Sequence, residues 1–521
     1  MTGAAATVPS AQVAFVGRRI ATLDADHSGA EVVVVVDGRI AAVGPRALLE
    51  RYPDAQVVAL GDRLLVPGFI DAHQHLSVSA LHPRFGDATA VRTPHDLRLA
   101  VAAHAVAEPD VEVLRLHGWD DTKWEFPLDR RGIDAIVDDR PVVIAHSSLH
   151  QCVVNTAALD LLAIGSATPD PAGGEIARGT DGSPTGLLVE RAWSDAHARS
   201  LAPYADPDRW AEHVAARAAT FVREGITAVH DAACSPAAEA LFTTMAKQGS
   251  LPVSVLALPH PAALLRNEPG SRLDGRSTGE GDEWFRVGPI KLFADGGIAI
   301  ALDTSIGGSR VTYGYVMDDL EACAHRAADR GFRIAVHAIG NVGVDHALAS
   351  FAAVDRRHPG RDHRFRLEHA GVSGPEQWRR AAALGVIGVV QPGFVEHVGI
   401  SSHGVGFDDH HWLAFASLAD AGVRLAGSSD DPCAPAAPLW CIDKGITRRT
   451  STGIAFDTDQ SIPFDDWLRA YTIGAALAGG QERERGTITP GKRADLVELT
   501  RAGDAYRVAA TWIGGCRVWA A

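Results

Sequence analysis

Between two β-rich ends, the chain carries a long series of short apolar strands separated by alanine- and arginine-rich helical stretches, and few folds accommodate that alternation. Segments 66–75, 226–230, 252–256, 287–293, 332–337, 365–369, 386–391 and 423–428 are apolar and mostly β-branched, the composition of buried strands. Helical stretches such as 318–330 and 375–383 lie between several of them. The alternation predicts an α/β fold, a (β/α)8 TIM-like barrel over 66–481. Segment 77–222 is too long for one crossover helix and holds strand-like pieces of its own at 111–116 and 141–145. It is expected to contain an inserted lobe that follows strand one and caps the barrel mouth.

The two ends share a different character. Residues 13–16, 31–36 and 39–43 read as short strands, with Asp37-Gly38 as a type I′ hairpin signal between the last two. Near the other terminus, 494–499 and 508–518 are similar, with Gly514-Gly515 as the turn. One β-sandwich built from 1–65 and 482–521 would let the middle fold as an inserted domain.

Composition narrows the function classes. The 521 residues are 46% hydrophobic and 22% charged, as in an ordinary globular protein. A net charge of -15 with no basic run argues against nucleic acid as a partner. The six cysteines (152, 234, 323, 433, 441 and 516) include no C-x-x-C pair, which suggests reduced thiols rather than a disulfide framework. Neither a basic-then-apolar leader nor a membrane-length apolar run stands out, so the expected setting is the cytosol.

Ligand-type residues fall at the predicted strand ends. Residues two apart in an extended backbone point to one side, so His73 and His75 can offer imidazoles to one metal ion. Lys291 lies within strand four, His337 ends strand five, His369 ends strand six, and Asp430 follows strand eight. In a barrel those ends converge on one face. Four imidazoles, a carboxylate and a lysine suit one or two divalent ions, with imidazole favouring zinc or a neighbouring metal.

Several motifs accompany this set: Pro67-Gly68-Phe69-Ile70-Asp71-Ala72-His73-Gln74-His75, Ile290-Lys291-Leu292-Phe293-Ala294-Asp295-Gly296, Val336-His337-Ala338-Ile339-Gly340, Arg366-Leu367-Glu368-His369-Ala370 and Ser429-Asp430-Asp431-Pro432. A last one, Gly486-Thr487-Ile488-Thr489-Pro490-Gly491-Lys492-Arg493-Ala494-Asp495-Leu496, lies near the C-terminus. With them the chain resembles the metal-dependent amidohydrolase superfamily over almost its whole length. Within it, the YtcJ-like branch, which includes N-substituted formamide deformylases, is the most similar. The resemblance implies a barrel with a sandwich from both termini, and a metal site of His73, His75, His337, His369 and Asp430. It also implies a carbamylated Lys291 bridging two ions, and a homodimer, which is common among relatives. The sequence departs from the branch in the loop 297–302 and at Asn341, neither of which touches a proposed ligand.

The chemistry fits those roles. Zinc lowers the pKa of bound water to about 7 and polarises a carbonyl, and Asp430 would accept that water's proton and return it to the leaving nitrogen. Burial favours the neutral lysine amine that reacts with carbon dioxide. The alternative for Lys291 is a buried salt bridge to Asp295 or Glu368. Candidate substrate contacts are Trp119, His150, Asp295 and Trp440, with His397 also near the mouth, which suits a small apolar or aromatic molecule. Glu190 and His230 read as structural. The leading reading is hydrolysis of an amide-type C–N bond, with ester or carbamate hydrolysis open on the same site. Deamination ranks lower, because no glutamate follows His337 closely. A catalytically silent scaffold is the reading from another class, and the intact ligand set argues against it.

Overall fold

The computed structural model describes residues 12–260, 265–267, 271–503 and 505–521. Eight parallel strands follow the predicted order: β1 (Phe69–Gln74), β2 (Ile226–Cys234), β3 (Ser254–Pro259), β4 (Ile290–Phe293), β5 (Ile334–Ala338), β6 (Arg366–His369), β7 (Ile387–Val390) and β8 (Arg424–Gly427). β1, β2 and β3 pair side by side, and β4 to β8 form a second sheet in chain order. Most are buried along their whole length, as parallel strands covered on both faces must be. The sheets approach each other at both edges. Asp430 N donates to His73 O and His75 N to Asp431 O, each at 2.8 Å, and at the other edge β3 lies beside β4. The arrangement is consistent with a barrel.

One predicted strand is two. The apolar run 66–75 divides at Gly68: Leu64–Pro67 pairs antiparallel with Leu496–Ala502, and β1 starts at Phe69. At Gly68 the backbone passes against β2, where a Cβ would lie 2.3 Å from Thr227 Oγ1. The segment 287–293 divides in the same way, into Phe285–Val287 beside β3 and then β4. Continuous apolar sequence cannot reveal such a change of partner.

Between β1 and β2 in the chain lies a six-stranded sheet in the spatial order Gly174–Arg178, Pro184–Glu190, Gln151–Val154, Val142–His146, Leu114–Trp119 and Gly86–Asp87. The helix Pro207–Arg223 packs on β2, outside that sheet. The ends form two further four-stranded sheets, one from residues 12–61 and one joining Leu64–Pro67 to the C-terminal strands. Phe15, Val33, Leu65, Leu496 and Trp512 share one apolar cluster drawn from both sheets, with Phe15 edge-on to Trp512 at 4.8 Å. Both expected tight turns have the left-handed backbone they require, with φ of 50° and 77° at Asp37 and Gly38, and 54° and 73° at Gly514 and Gly515. No helix among the described residues is long and apolar enough to cross a membrane, and the six cysteines are unpaired.

The Gly68 break supplies the first prediction. Gly68→Val should destabilise the protein by about 1–3 kcal/mol through overpacking against Thr227, read as a lower urea midpoint. An unchanged midpoint would show that the close approach is not a constraint.

Candidate metal centre

The predicted ligand residues meet at the carboxyl ends of the strands. His73 ends β1, and His75 sits just past it at the start of a short helix. Asp430 Oδ1 lies 3.1 Å from His75 Nε2 and 3.5 Å from His73 Nε2. Lys291 Nζ is 3.4 Å from His73 Nε2. The His369 ring centroid is 4.8 Å from that of His73 and 4.6 Å from that of His337. His73, Lys291, His337 and His369 are almost completely buried.

Each imidazole has one nitrogen committed elsewhere, which decides what the other can do. His73 Nδ1 donates to Glu368 Oε2 at 2.5 Å, His75 Nδ1 to Ala232 O at 2.8 Å, and His369 Nδ1 to Gln391 Oε1 at 2.9 Å. His337 is the reverse, with Nε2 donating to Gly296 O at 3.2 Å. A neutral imidazole carries one proton, so Nε2 of His73 and His369 and Nδ1 of His337 keep lone pairs, whereas His75 Nε2 faces Asp430 Oδ1 at 3.1 Å. Burial holds His73, His337 and His369 well below the usual imidazole range. Burial acts downward on His75 too, but its hydrogen bond and charge contact with Asp430 raise it. Burial opposes ionisation of Asp430, and the hydrogen bond from His75 with the charge of Lys291 outweighs it, leaving the carboxyl lowered. Neutral imidazoles beside a carboxylate are the form in which such residues bind metal.

A buried frame supports these groups. Arg366 Nε donates to Glu368 Oε1 at 2.7 Å, and Arg366 Nη2 donates to Glu368 Oε2 at 3.0 Å and to Ala72 O at 2.7 Å. Asp71 accepts Ser429 N at 3.0 Å and Ser429 Oγ at 2.5 Å, joining β1 to the loop after β8. Burial pushes the Asp71 carboxyl up to about 7 against those hydrogen bonds. Non-glycine residues stand at φ of 73° at His369, 48° at Ala370 and 61° at Asp430, each at a cost of about 1–3 kcal/mol that surrounding contacts must offset.

Lys291 has neither of the two salt bridges considered for it. Glu368 is held by Arg366 and His73. Asp295 accepts the backbone N–H groups of Ile339, Gly340 and Ala301 at 3.0, 2.7 and 3.0 Å. Burial draws the Lys291 amine down to about 8. Among the described residues it forms no ion pair.

A chamber of about 50 Å³ is bounded by these ligands together with His150 and Cys433. An outer cavity of about 480 Å³ shares His150, His337, His369, Asp430 and Cys433 with it. One wall of the outer cavity is apolar, with Ile298, Ile300, Ile339, Phe394, Trp412 and Leu413; the other, from the lobe, is polar, with Asp120, Asp121, His146, Ser148 and His150. His150 and His397 stand in the cavity, whereas three candidate contacts lie elsewhere. Trp119 packs inside the lobe against Trp124 and His146. Asp295 is fully buried on its three amides. Trp440 lies under Gly393, with Lys444 Nζ 5.5 Å from its ring. Glu190, read from sequence as structural, instead bonds His150 Nδ1 at 2.6 Å. Gln391 had a legible signal, since it ends strand seven on the same face as the ligands.

A model of the amidohydrolase family matches residues 56–518. The chain belongs to the amidohydrolase family. An N-substituted formamide deformylase from Arthrobacter pascens is 32% identical over 505 residues, covering 94% of this chain and 93% of the relative. The putative amidohydrolase YtcJ of Bacillus subtilis is 28% identical over 528 residues, with 94% of each chain covered. In fold, this amidohydrolase is similar to the crystal structure of an uncharacterized metal-dependent hydrolase from Pyrococcus horikoshii, with a TM-score of 0.74, 21% identity, and coverage of 94% of this chain and 98% of that one. Membership makes it a hydrolase of carbon–nitrogen bonds other than peptide bonds.

The frame yields a second prediction. Glu368→Gln removes the carboxylate that orients His73 and should weaken zinc affinity about 10–100-fold, measured by chelator competition. Wild-type affinity in that variant would mean that His73 needs no such partner.

Proposed function

We propose that this amidohydrolase cleaves the C–N bond of a small acyl amide, an N-substituted formamide, whose nitrogen bears an apolar or aromatic group. The observation that carries the reading is the pairing of two unequal chambers around one set of ligands. The inner, about 50 Å³, is lined by the ligands themselves, so beside a bound ion it leaves room for a formyl-sized acyl end at most. The outer, about 480 Å³ with one apolar wall, suits a larger substituent on nitrogen. The deformylase relative agrees with that division.

His73, His75, His337, His369 and Asp430 would hold one or two divalent ions, with zinc the best match to this nitrogen-rich donor set. Lys291 would serve as a further, carbamylated ligand, since it is buried, forms no ion pair among the described residues and lies 3.4 Å from His73 Nε2. When bound, the metal supplies an acidified water and a Lewis-acid contact to the scissile carbonyl. Asp430, ionised beside His75, takes the water's proton and hands it to the leaving nitrogen, so that formamide and water become formate and an amine. The fold reading that accompanies this places the site at the mouth of a closed (β/α)8 barrel, with the terminal sheets packed as a sandwich.

Deamination has less support, since Ala338-Ile339-Gly340-Asn341-Val342 after His337 supplies no carboxyl. Asp430→Asn tests the mechanism: turnover of secondary N-substituted formamides should fall by about 10²–10⁴-fold. Undiminished turnover in a well-folded variant would overturn the role given to Asp430.

A further inference from the structure

The proposed mechanism leaves unused the His150–Glu190 pair, which the lobe brings to the junction of the two chambers. Glu190 ends the lobe strand Pro184–Glu190 with φ at 49° and is completely buried. Both of its oxygens are engaged. Oε1 accepts Ile298 N at 2.8 Å and Ala299 N at 3.0 Å, from the loop after β4. Oε2 stands 2.6 Å from His150 Nδ1. Burial opposes ionisation of Glu190, and the His150 contact, followed by those backbone bonds, holds the carboxyl low against it. An ionised carboxylate only accepts, so Nδ1 carries the proton. Gly297 N–H points at the same Nδ1 from 3.0 Å; the shorter contact to an anionic oxygen sets the tautomer, and that N–H then has no acceptor on the ring.

The opposite edge of the ring is kept clear. His150 borders both chambers, and its centroid is 5.1 Å from that of His337. Any side chain at Gly297 would cover it, since a Cβ there would lie 2.4 Å from Cδ2 and 2.7 Å from Nε2. Among the described residues, His150 Nε2 has no hydrogen-bond partner. A strained, buried carboxylate thus holds one imidazole by its far nitrogen and leaves the near one as an acceptor.

We infer that His150 Nε2 accepts the N–H of the substrate amide, with Glu190 as the positioning residue that keeps the imidazole proton on Nδ1. The inference rests on the amide reading above and refines it: the enzyme should select secondary amides over those with no N–H. Glu190→Gln makes the tautomer testable. The Ile298 and Ala299 N–H groups require the oxygen of the substituted side chain, so its NH₂ must face His150 Nδ1 and donate to it. The imidazole proton then moves to Nε2, and the acceptor becomes a donor.

The experiment is calorimetric binding of formohydroxamate and N-methylformohydroxamate to the zinc-loaded full chain. The first ligand has the N–H and the second lacks it. Any steric cost of the methyl group is common to wild type and Glu190→Gln, which both keep the imidazole, so the change in preference between those two is the readout. Wild type should favour formohydroxamate by about 10-fold or more. Glu190→Gln should lose that excess at unchanged metal content and melting temperature, and so should His150→Ala. The double variant should match His150→Ala alone, as expected if Glu190 acts only through His150. Equal preference in wild type and either single variant would overturn the inference, as would wild type binding neither ligand. Turnover of secondary formamides, measured in parallel, separates the two claims. Intact preference without turnover refutes the amide reaction alone, and turnover without preference refutes the hydrogen bond alone.

Discussion

The site depends on a buried carboxylate, Glu368, held between Arg366 and His73. Arg366 and Glu368 are both 0% exposed, and removing two such charges from water costs several kcal/mol per ion even in a relaxed interior. Two charge-assisted hydrogen bonds between them, at 2.7 and 3.0 Å, offset that cost. What the arrangement achieves is orientation. Arg366 also reaches Ala72 O in β1 and lies 3.0 Å from His230 Nδ1 in β2, so one guanidinium fastens three strands. Glu368 can then accept from His73 Nδ1 with no freedom to turn, and His73 Nε2 faces the other ligands.

The same logic repeats around the centre with different acceptors. A backbone carbonyl holds His75, a glutamine holds His369, and the Gly296 carbonyl holds His337. None of these partners needs a metal to be in place, so the ligand lone pairs are set by the fold itself. Strained backbone at His369, Ala370 and Asp430 persists because these contacts fix it from several sides. The lobe adds a second layer. Its Glu190 bonds Ile298 and Ala299 beyond β4 while holding His150, which ties the cavity's polar wall to its apolar one.

Much of this was legible in the sequence, for identifiable reasons. Buried parallel strands must be continuous apolar runs, so the strand order and the placement of His73, His337 and His369 at strand ends could be read directly. The break at Gly68 could not, because residues on both sides are equally apolar and only contact with Thr227 divides them. Asp295 was taken as a substrate contact, since a motif aspartate four residues after Lys291 gives no sign that three amides 6 to 45 residues away will claim it. Trp119 and Trp440 suited an aromatic mouth by composition, but packing inside the lobe and under Gly393 took them. Glu190 read only as structural because its partners come from positions 150, 298 and 299, which meet when the lobe packs on the loop after β4.

Elemental mass spectrometry of the full chain, purified without chelator or added metal, tests most directly whether this fold has preset a metal centre. The account predicts one or two divalent ions per chain, two if a carbamylated Lys291 joins a pair. Protein that contains no metal and takes up none from added zinc, while correctly folded, would contradict it.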